Sequence, residues 1–198
     1  MTAMATTGIR PFIERISEAP VARNDIRSND ALAALKLQAS ADASLAALAT
    51  ALEMPRAGSL LAGIFGGSPY LARLIERDPL RLEQILTAAP EVRLEELKAS
   101  LARDVAAAAT RADVMRVLRV FKTEVALLTA LADLAGVWPV LRVTGALTEC
   151  ADAALRAAVG FLFREAVARG QWLAEADGSV SAGGYIVLAY PRHQAPPP

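Results

Sequence analysis

The stretch from residue 110 to residue 137 constrains the fold most strongly, because its apolar residues recur at alternating steps of four and three. Such steps place side chains on one face of an α-helix. Thr110 can accept a hydrogen bond from the first turn, and Gly136 followed by Pro139 favours an end. The sequence therefore predicts a long helix over 111–135. Its buried face would consist of Val114, Leu118, Phe121, Val125, Leu128, Ala132 and Ala135.

Composition favours a helical protein with a sizeable core. Hydrophobic residues make up 54% of the 198 residues, and the 21 Lys and Arg balance the 21 Asp and Glu. Without net charge, the chain has no general attraction to nucleic acid or to an anionic membrane, so we expect neither as a partner. The single cysteine, Cys150, excludes an internal disulfide and fits a reducing compartment. The sequence contains neither a secretory signal nor a long apolar run, so we expect a cytoplasmic protein.

Proline and glycine divide the chain into three predicted parts. Residues 1–27 form a lead-in segment, because Pro11 and Pro20 interrupt any long helix. Residues 28–170 form a helical domain. Residues 171–198 are rich in turns and end in a proline-rich tail that we expect to be disordered. Within this part, the run YIVLAY at 185–190 predicts one strand or hairpin.

The helical part predicts a mainly α fold, an irregular bundle of about six helices. A helix over 29–53, weakened near residues 40–42, is followed by a turn at 54–58 and a short helix over 60–65. Ser68–Pro69 and Asp78–Pro79 each start a short helix, since proline suits the first helical position. A helix after Pro90 should pack antiparallel on the 111–135 helix, which is central together with a helix over 139–169. The inward stripe of that last helix would be Val143, Leu147, Cys150, Ala154, Ala157 and Phe161.

Several residues carry groups that could do chemistry. His193 lies in the proline-rich tail without a second ligand nearby, which favours a solvated residue over a metal ligand or general base. Cys150 falls on an apolar stripe, which favours a buried thiol over a nucleophile. The pair Gly66 and Gly67 before Ser68 could hold a phosphate, but it matches no complete phosphate-loop pattern.

Charged residues form two further groups on the predicted helices. Arg116, Arg119 and Lys122 follow at three-residue spacing, which makes a basic ridge that could bind an acidic partner or a phosphate. The alternative is a solvated face paired with Asp113 or Glu124. Mixed charge around the carboxylates of the last helix indicates a surface position for Glu149, Asp152 and Glu165. The residues alone assign no catalytic, cofactor-binding or metal-binding group.

Two stretches are more specific than any of these groups. GGSPYLARLIERDPLRLEQIL, at 66–86, and LRVFKTEVALLTALADLAGVWPVLRVTGALTECADAALRAAV, at 118–159, resemble the N-terminal region of the glutamate-ammonia ligase adenylyltransferase family. The resemblance covers roughly residues 58–190. It is carried in the first stretch by Ser68, Pro69, Leu71, Arg77, Asp78 and Pro79. In the second stretch it is carried by Leu118, Arg119, Lys122, Ala130, Leu131, Asp133, Leu134, Thr148, Ala151 and Asp152.

The resemblance implies a helical lead into an adenylyl-removing half with a nucleotidyltransferase fold. Enzymes of this family attach AMP to glutamine synthetase and remove it, and so regulate nitrogen assimilation. ATP and magnesium are implied for the full-length family, because its glycine-rich turn approaches phosphates and the aspartates of its Ser-Asp-x-Asp signature hold divalent metals. The part from 171 onward would be the truncated start of that nucleotidyltransferase-like domain.

The sequence departs from the family pattern after Ala189. Tyr190, Pro191, Arg192 and His193 stand where the glycine turn should begin, so no catalytic residue can be carried over. One interpretation is a truncated or frameshifted N-terminal fragment that is inactive as a transferase. The alternative is a non-catalytic helical module that binds glutamine synthetase or the PII signalling protein, with the ridge of Arg116, Arg119 and Lys122 as the candidate surface.

Overall fold

A computed structural model describes residues 10–21 and 26–173, and within these ranges it contains nine α-helices. The fold is mainly α, as the sequence predicts. The helices are α1 (Phe12–Arg15), α2 (Ile26–Ala41), α3 (Ala46–Leu52), α4 (Pro55–Gly67), α5 (Pro69–Arg77), α6 (Pro79–Thr87), α7 (Pro90–Ala107), α8 (Arg111–Leu134) and α9 (Val140–Ala168). The strand predicted at 185–190 lies outside the described residues. No helix in the described part is long and apolar enough to cross a membrane.

The helices form two groups around one hydrophobic core. In the first half, α2 packs on α4 and α3 packs on α6, while in the second half α7, α8 and α9 pack on one another in pairs. The contacts of α5 with α8 and of α6 with α7 join the halves. The packing of α7 on α8 agrees with the sequence, because only residues 108–110 separate the two helices.

Proline and side-chain caps start the short helices where the sequence predicts. Pro69 and Pro79 stand in the first turns of α5 and α6. Ser68 accepts a hydrogen bond from the backbone N–H of Leu71, and Asp78 accepts one from that of Arg81. Each cap satisfies a backbone donor that has no partner inside the helix.

The number and bounds of the other helices differ from the prediction of about six. The helix predicted over 29–53 is interrupted next to its expected weak point by a 3₁₀ turn at Ala43–Leu45, where Asp42 accepts a 2.8 Å hydrogen bond from the Ser44 N–H. The predicted turn at 54–58 is wrong, because α4 begins at Pro55. Proline is compatible with the first helical turn, so Pro55 starts this helix instead of preventing it.

The N-terminal residues contribute to the same core as the helices. Phe12 and Ile16 are fully buried, and the Phe12 N–H donates a 2.8 Å hydrogen bond to the Ala88 carbonyl. Backbone N–H groups of Ser17 and Glu18 both donate to the Ala135 carbonyl. The domain boundaries stay a prediction, but the hydrophobic core includes residues on both sides of position 27.

Some apolar residues of the helices are exposed. The helical periodicity of α5, α6 and α7 also predicts inward positions for Tyr70, Leu80 and Val92, but these residues stand in the first turns of their helices and are exposed. Leu147 on α9, predicted to face inward, is 45% exposed. The remaining stripe of α9 is buried or half-buried, as is the whole predicted stripe of α8. Periodicity thus identifies the α8 face correctly and misplaces one residue of the α9 stripe, Leu147.

Candidate functional site

The predicted basic ridge lies on α8, which begins with a side-chain cap. Thr110 accepts a hydrogen bond from the Asp113 N–H, while the Asp113 carboxylate accepts one from the Thr110 N–H, which forms a capping box. One face of α8 is buried, and Arg116, Arg119 and Lys122 are all exposed. The helix therefore presents these three cations on a rigid, capped element.

The three cations are not gathered into one pocket. Arg116 borders the groove between α7 and α8, whereas Lys122 borders the groove between α8 and α9. Three residues turn a helix by about 300°, so residues at this spacing wind slowly around its surface. The ridge is consequently a broad band on the exposed side of α8 and suits an extended partner surface better than one small anion.

Local carboxylates neutralise one end of this band. The Arg116 guanidinium forms an ion pair with Asp113. The Thr110 hydroxyl, and after it the charge of Arg116, lower the pKa of the Asp113 carboxyl, so it remains an anion well below neutral pH. Arg119 and Lys122 have no carboxylate within ion-pair distance in the described part of the chain. Within the described part, these two residues are the cations of the ridge that have no ion-pair partner.

Glu124 does not pair with the ridge, which corrects one of the two pairings considered from the sequence. Its carboxylate accepts a 2.5 Å hydrogen bond from Arg81 Nε and a 3.3 Å hydrogen bond from Arg93. The side chains of Glu124, Arg81 and Arg93 are only 11%, 13% and 15% exposed. This buried charge cluster joins α6, α7 and α8, and sequence reasoning did not identify it.

A signal for the cluster is present in the sequence. Glu124 stands between Phe121 and Leu128 at helical spacing, so a charged residue interrupts a face that is otherwise apolar. A carboxylate at such a position requires a cationic partner, because burial of an unpaired charge is costly. Identifying Arg81 and Arg93 as the partners requires the tertiary arrangement of three helices.

Cys150 is a buried thiol, as the apolar stripe predicts. It is 4% exposed, and burial raises the pKa of its thiol to about 11. Since the thiolate is the nucleophilic form, the side chain is almost entirely protonated at neutral pH. Its position indicates packing and gives no support to a catalytic role.

The three carboxylates of α9 take part in ion pairs near the surface. Glu149 accepts hydrogen bonds from Lys98 at 3.0 Å and from Arg142 at 2.9 Å. Hydrogen bonding from Lys98 is the main cause that lowers the pKa of Glu149. Glu165 pairs at 2.6 Å with both Arg111 and Arg169, and Asp152 is 4.0 Å from Arg156. These contacts connect α9 to α7 and α8 or lie along α9. Ion pairing therefore explains the presence of the three carboxylates, and no catalytic role is needed to explain it.

The glycine pair does not form a phosphate-binding loop. Gly66 and Gly67 belong to the last turn of α4, and the Ser68 N–H donates to the Ile64 carbonyl. The Ser68 hydroxyl is used as the cap of α5. The end of α4 and the start of α5 therefore explain this motif.

His193 lies outside the described residues, and in the described part no group of three or more His, Cys, Asp or Glu could hold a metal ion.

Comparison with known proteins identifies the same family as the sequence resemblance. The family model described as glutamate-ammonia ligase adenylyltransferase matches residues 58–194, which include most of α4 and all of α5 to α9. No solved structure gives a significant match.

Curated relatives share the same description, "bifunctional glutamine synthetase adenylyltransferase/adenylyl-removing enzyme". The protein from Bradyrhizobium sp. (strain BTAi1) is 44% identical over 164 residues, which are 82% of this chain and 16% of the relative. The protein from Bradyrhizobium diazoefficiens is 45% identical over 145 residues, covering 73% of this chain and 15% of the relative. The protein from Xanthobacter autotrophicus is 40% identical over 142 residues, covering 71% and 14%.

The chain thus spans about a sixth of the length of these relatives, and the match includes both stretches on which the resemblance rests. The matched region is also the region that forms α8 with its basic ridge. The chain belongs to the glutamate-ammonia ligase adenylyltransferase family.

Proposed function

We propose that this chain is the N-terminal, partner-recognising portion of a glutamine synthetase adenylyltransferase/adenylyl-removing enzyme of the cytoplasm. The observation that carries the proposal is the family match over residues 58–194. Its relatives are named for adenylyl transfer to glutamine synthetase and for the reverse removal. The reaction would regulate nitrogen assimilation, and glutamine synthetase would be the partner.

The role that we assign to the helical part is binding and not chemistry. Arg119 and Lys122 are exposed on a capped, well-packed helix, so they can meet an acidic partner surface without ordering a loop. The sequence up to residue 189 resembles the family, but the glycine turn and the Ser-Asp-x-Asp signature have no counterpart in this chain. ATP and magnesium would accordingly be held by residues that this chain does not supply.

Charge reversal tests the assigned surface. We expect Arg119→Glu together with Lys122→Glu to weaken retention of glutamine synthetase by the 198-residue chain by roughly tenfold, since an attractive contact becomes a repulsive one. Binding is measured by surface plasmon resonance at two salt concentrations. The affinity of the unchanged chain should fall as salt rises, because exposed charges are screened.

A matched control separates this surface from net charge. Arg73 on α5 and Arg103 on α7 are exposed, and reversing both to Glu gives the same change in net charge. The control pair should bind glutamine synthetase like the unchanged chain. If both double variants lose the same affinity for glutamine synthetase, the ridge is not the binding surface. If the chain binds the PII protein and not glutamine synthetase, the alternative partner is the correct one.

Activity is measured separately from binding. With adenylylated glutamine synthetase, phosphate and magnesium, the purified chain should release no AMP above background. Release of AMP would refute the non-catalytic role. Absence of both binding and release would refute the proposed function as a whole.

A further inference from the structure

Helix α9 has an exposed apolar strip in addition to the face that joins the core. The strip consists of Val140, Thr144, Leu147, Ala151, Leu155, Ala158 and Leu162. Its three leucines are exposed by 45%, 42% and 47%, and Val140 is exposed by 68%. A surface helix of a globular protein normally has one apolar face. A second apolar face along the same helix indicates a surface that packs on a partner.

The strip is straight and continuous. It lies on one unbroken helix, Val140–Ala168, and extends about 33 Å from Val140 to Leu162. Its residues follow at steps of four, three and four, twice in succession. This spacing is close to the 3.6-residue turn of the α-helix, so the strip runs nearly parallel to the helix axis. A strip of this shape suits a second straight helix as its partner.

The strip is complementary to itself, because the same steps are read in either direction from its central residue, Ala151. When a second α9 lies antiparallel with the two Ala151 residues opposed, Leu147 faces Leu155 of the partner subunit. Val140 then faces Leu162 of the partner subunit. A small residue at the centre lets the two helices approach closely, and the apolar pairs on either side leave water. Each contact occurs twice about the two-fold axis, as in an isologous dimer.

Charge also permits this pairing, because the strip contains no charged residue. Its one hydroxyl, that of Thr144, donates a 3.1 Å hydrogen bond to the Val140 carbonyl and is satisfied without a partner. Asp152 flanks the centre in each copy, and its carboxylate lies 4.0 Å from Arg156, which offsets the repulsion between two such carboxylates. A nucleic acid or a highly charged peptide would find no complementary charge on the strip, whereas a second copy needs none.

The groove between α8 and α9 opens beside the strip and adds to the contact. It has a volume of about 460 Å³ and shares Leu147, Ala151 and Leu155 with the strip. A helix on the strip also covers the mouth of this groove, which removes apolar atoms of both walls from water. One helix face is smaller than the roughly 800 Å² per partner of a standard interface, so the association should be weak and reversible.

We propose that the chain forms a two-fold symmetric dimer in which α9 packs antiparallel on α9 of a second copy, with Ala151 at the two-fold axis. Both copies cover the same face, so the dimer is closed and does not extend to larger assemblies. The basic ridge lies on α8, outside the strip, so the dimer and the proposed binding of glutamine synthetase use different residues.

Sedimentation equilibrium of the 198-residue chain tests the dimer. Over roughly 1 to 300 μM, the range in which weak interfaces associate, the average mass should rise from the monomer mass toward twice that value. Ala151→Asp should raise the dissociation constant at least about tenfold, because two like charges then oppose each other across the axis. Ala151 is exposed, so this variant should keep the circular dichroism of the unchanged chain. The control is Ala99→Asp on α7, also exposed, which should associate like the unchanged chain.

A mixing experiment tests the antiparallel register. Ala151→Lys alone should also weaken association, whereas an equal mixture of Ala151→Asp and Ala151→Lys should associate at least about tenfold more tightly than either variant alone. Opposite charges meet in the mixture only if position 151 faces position 151. A chain that stays monomeric at every concentration would overturn the proposal. Association that survives Ala151→Asp, or a mixture no tighter than the single variants, would overturn the pairing through the strip.

Discussion

At the scale of single residues, the buried charge cluster is the arrangement whose disruption should lower the free energy of unfolding most. One carboxylate, Glu124, faces two guanidinium groups, and Arg81 also lies 3.1 Å from Asp78. Arg93 donates a 2.7 Å hydrogen bond to Gln84, while its buried Nε has no partner in the described part of the chain. Desolvation makes such a cluster a poor source of net stability, but loss of one member leaves the others uncompensated.

Removal of the central carboxylate should therefore be costly. We expect Glu124→Ala to lower the free energy of unfolding by about 3 kcal/mol, because two nearly buried cations lose their shared partner. Urea denaturation followed by circular dichroism measures the change. Glu96→Gln is the control, since Glu96 pairs with the same Arg93 from an exposed position and should cost less than about 0.5 kcal/mol. Equal effects would contradict the assigned role of burial.

At the scale of elements, the turn between α8 and α9 shows how closely the N-terminal segment packs on the bundle. Gly136 has φ of 62°, and a Cβ at this position would lie 2.5 Å from Ser17 Oγ. The Ser17 hydroxyl donates to the carbonyls of Ala135 and Gly136. Glycine is therefore required here by backbone conformation and by space.

Two alanine substitutions separate these requirements. Gly170 has a similar φ of 69° but no atom within 4 Å of an added Cβ, so Gly170→Ala should cost about 1 kcal/mol through backbone strain alone. Gly136→Ala should cost at least about 1 kcal/mol more, because the Ser17 segment must move. Unfolding free energies of the two variants measure the difference. If the two variants lose equal stability, the contact with Ser17 is unimportant.

Local patterns predict much of the element structure, and the exceptions have identifiable causes. The prolines at 69 and 79 and the cap at Thr110 act within a few residues, so the starts of α5, α6 and α8 follow from sequence. The start of α4 at Pro55 does not follow from the sequence, because proline is compatible both with a turn and with the first turn of a helix. The ridge was predicted from spacing alone, but the buried partners of Glu124 depend on how three separate helices meet.

At the scale of the whole molecule, ion pairs connect parts that are distant in sequence. Arg15 contacts Glu91 at 2.6 Å, and Glu91 also accepts a 2.7 Å hydrogen bond from the Trp138 indole. Lys98 on α7 contacts Glu149 on α9 at 3.0 Å. Burial raises the pKa of Glu91, but hydrogen bonds from Arg15 and Trp138 outweigh it, and the net pKa is lower than usual. Glu149 also has a lowered pKa.

The lowered pKa values of Glu91 and Glu149 predict that the protein loses stability in acid. A carboxyl group whose pKa is lower in the folded state stabilises the protein above its unfolded pKa of about 4.5, and that contribution disappears as the pH falls through the folded pKa. We expect a plateau above about pH 5 and a decline below it. Glu91→Gln should lower stability at pH 7 by about 1 kcal/mol and reduce the acid-dependent decline.

The measurement is the free energy of unfolding from pH 3 to pH 7. Glu53→Gln serves as the control, because Glu53 is exposed at the end of α3. This variant should keep the full decline in acid. An unchanged slope in Glu91→Gln would show that the contacts of Glu91 with Arg15 and Trp138 do not contribute to the acid response.

The hydrogen bonds from Ser17 to Ala135 also set an order of events during protein synthesis. Ser17 leaves the ribosome well over 100 residues before Ala135 does, as their separation of 118 positions requires. At about 5–20 residues per second, the early segment waits roughly 6 to 24 seconds for its acceptor. Ser17 therefore cannot complete its native contacts until Ala135 has been translated, whereas the acceptor of the Phe12 N–H, the Ala88 carbonyl, is translated earlier.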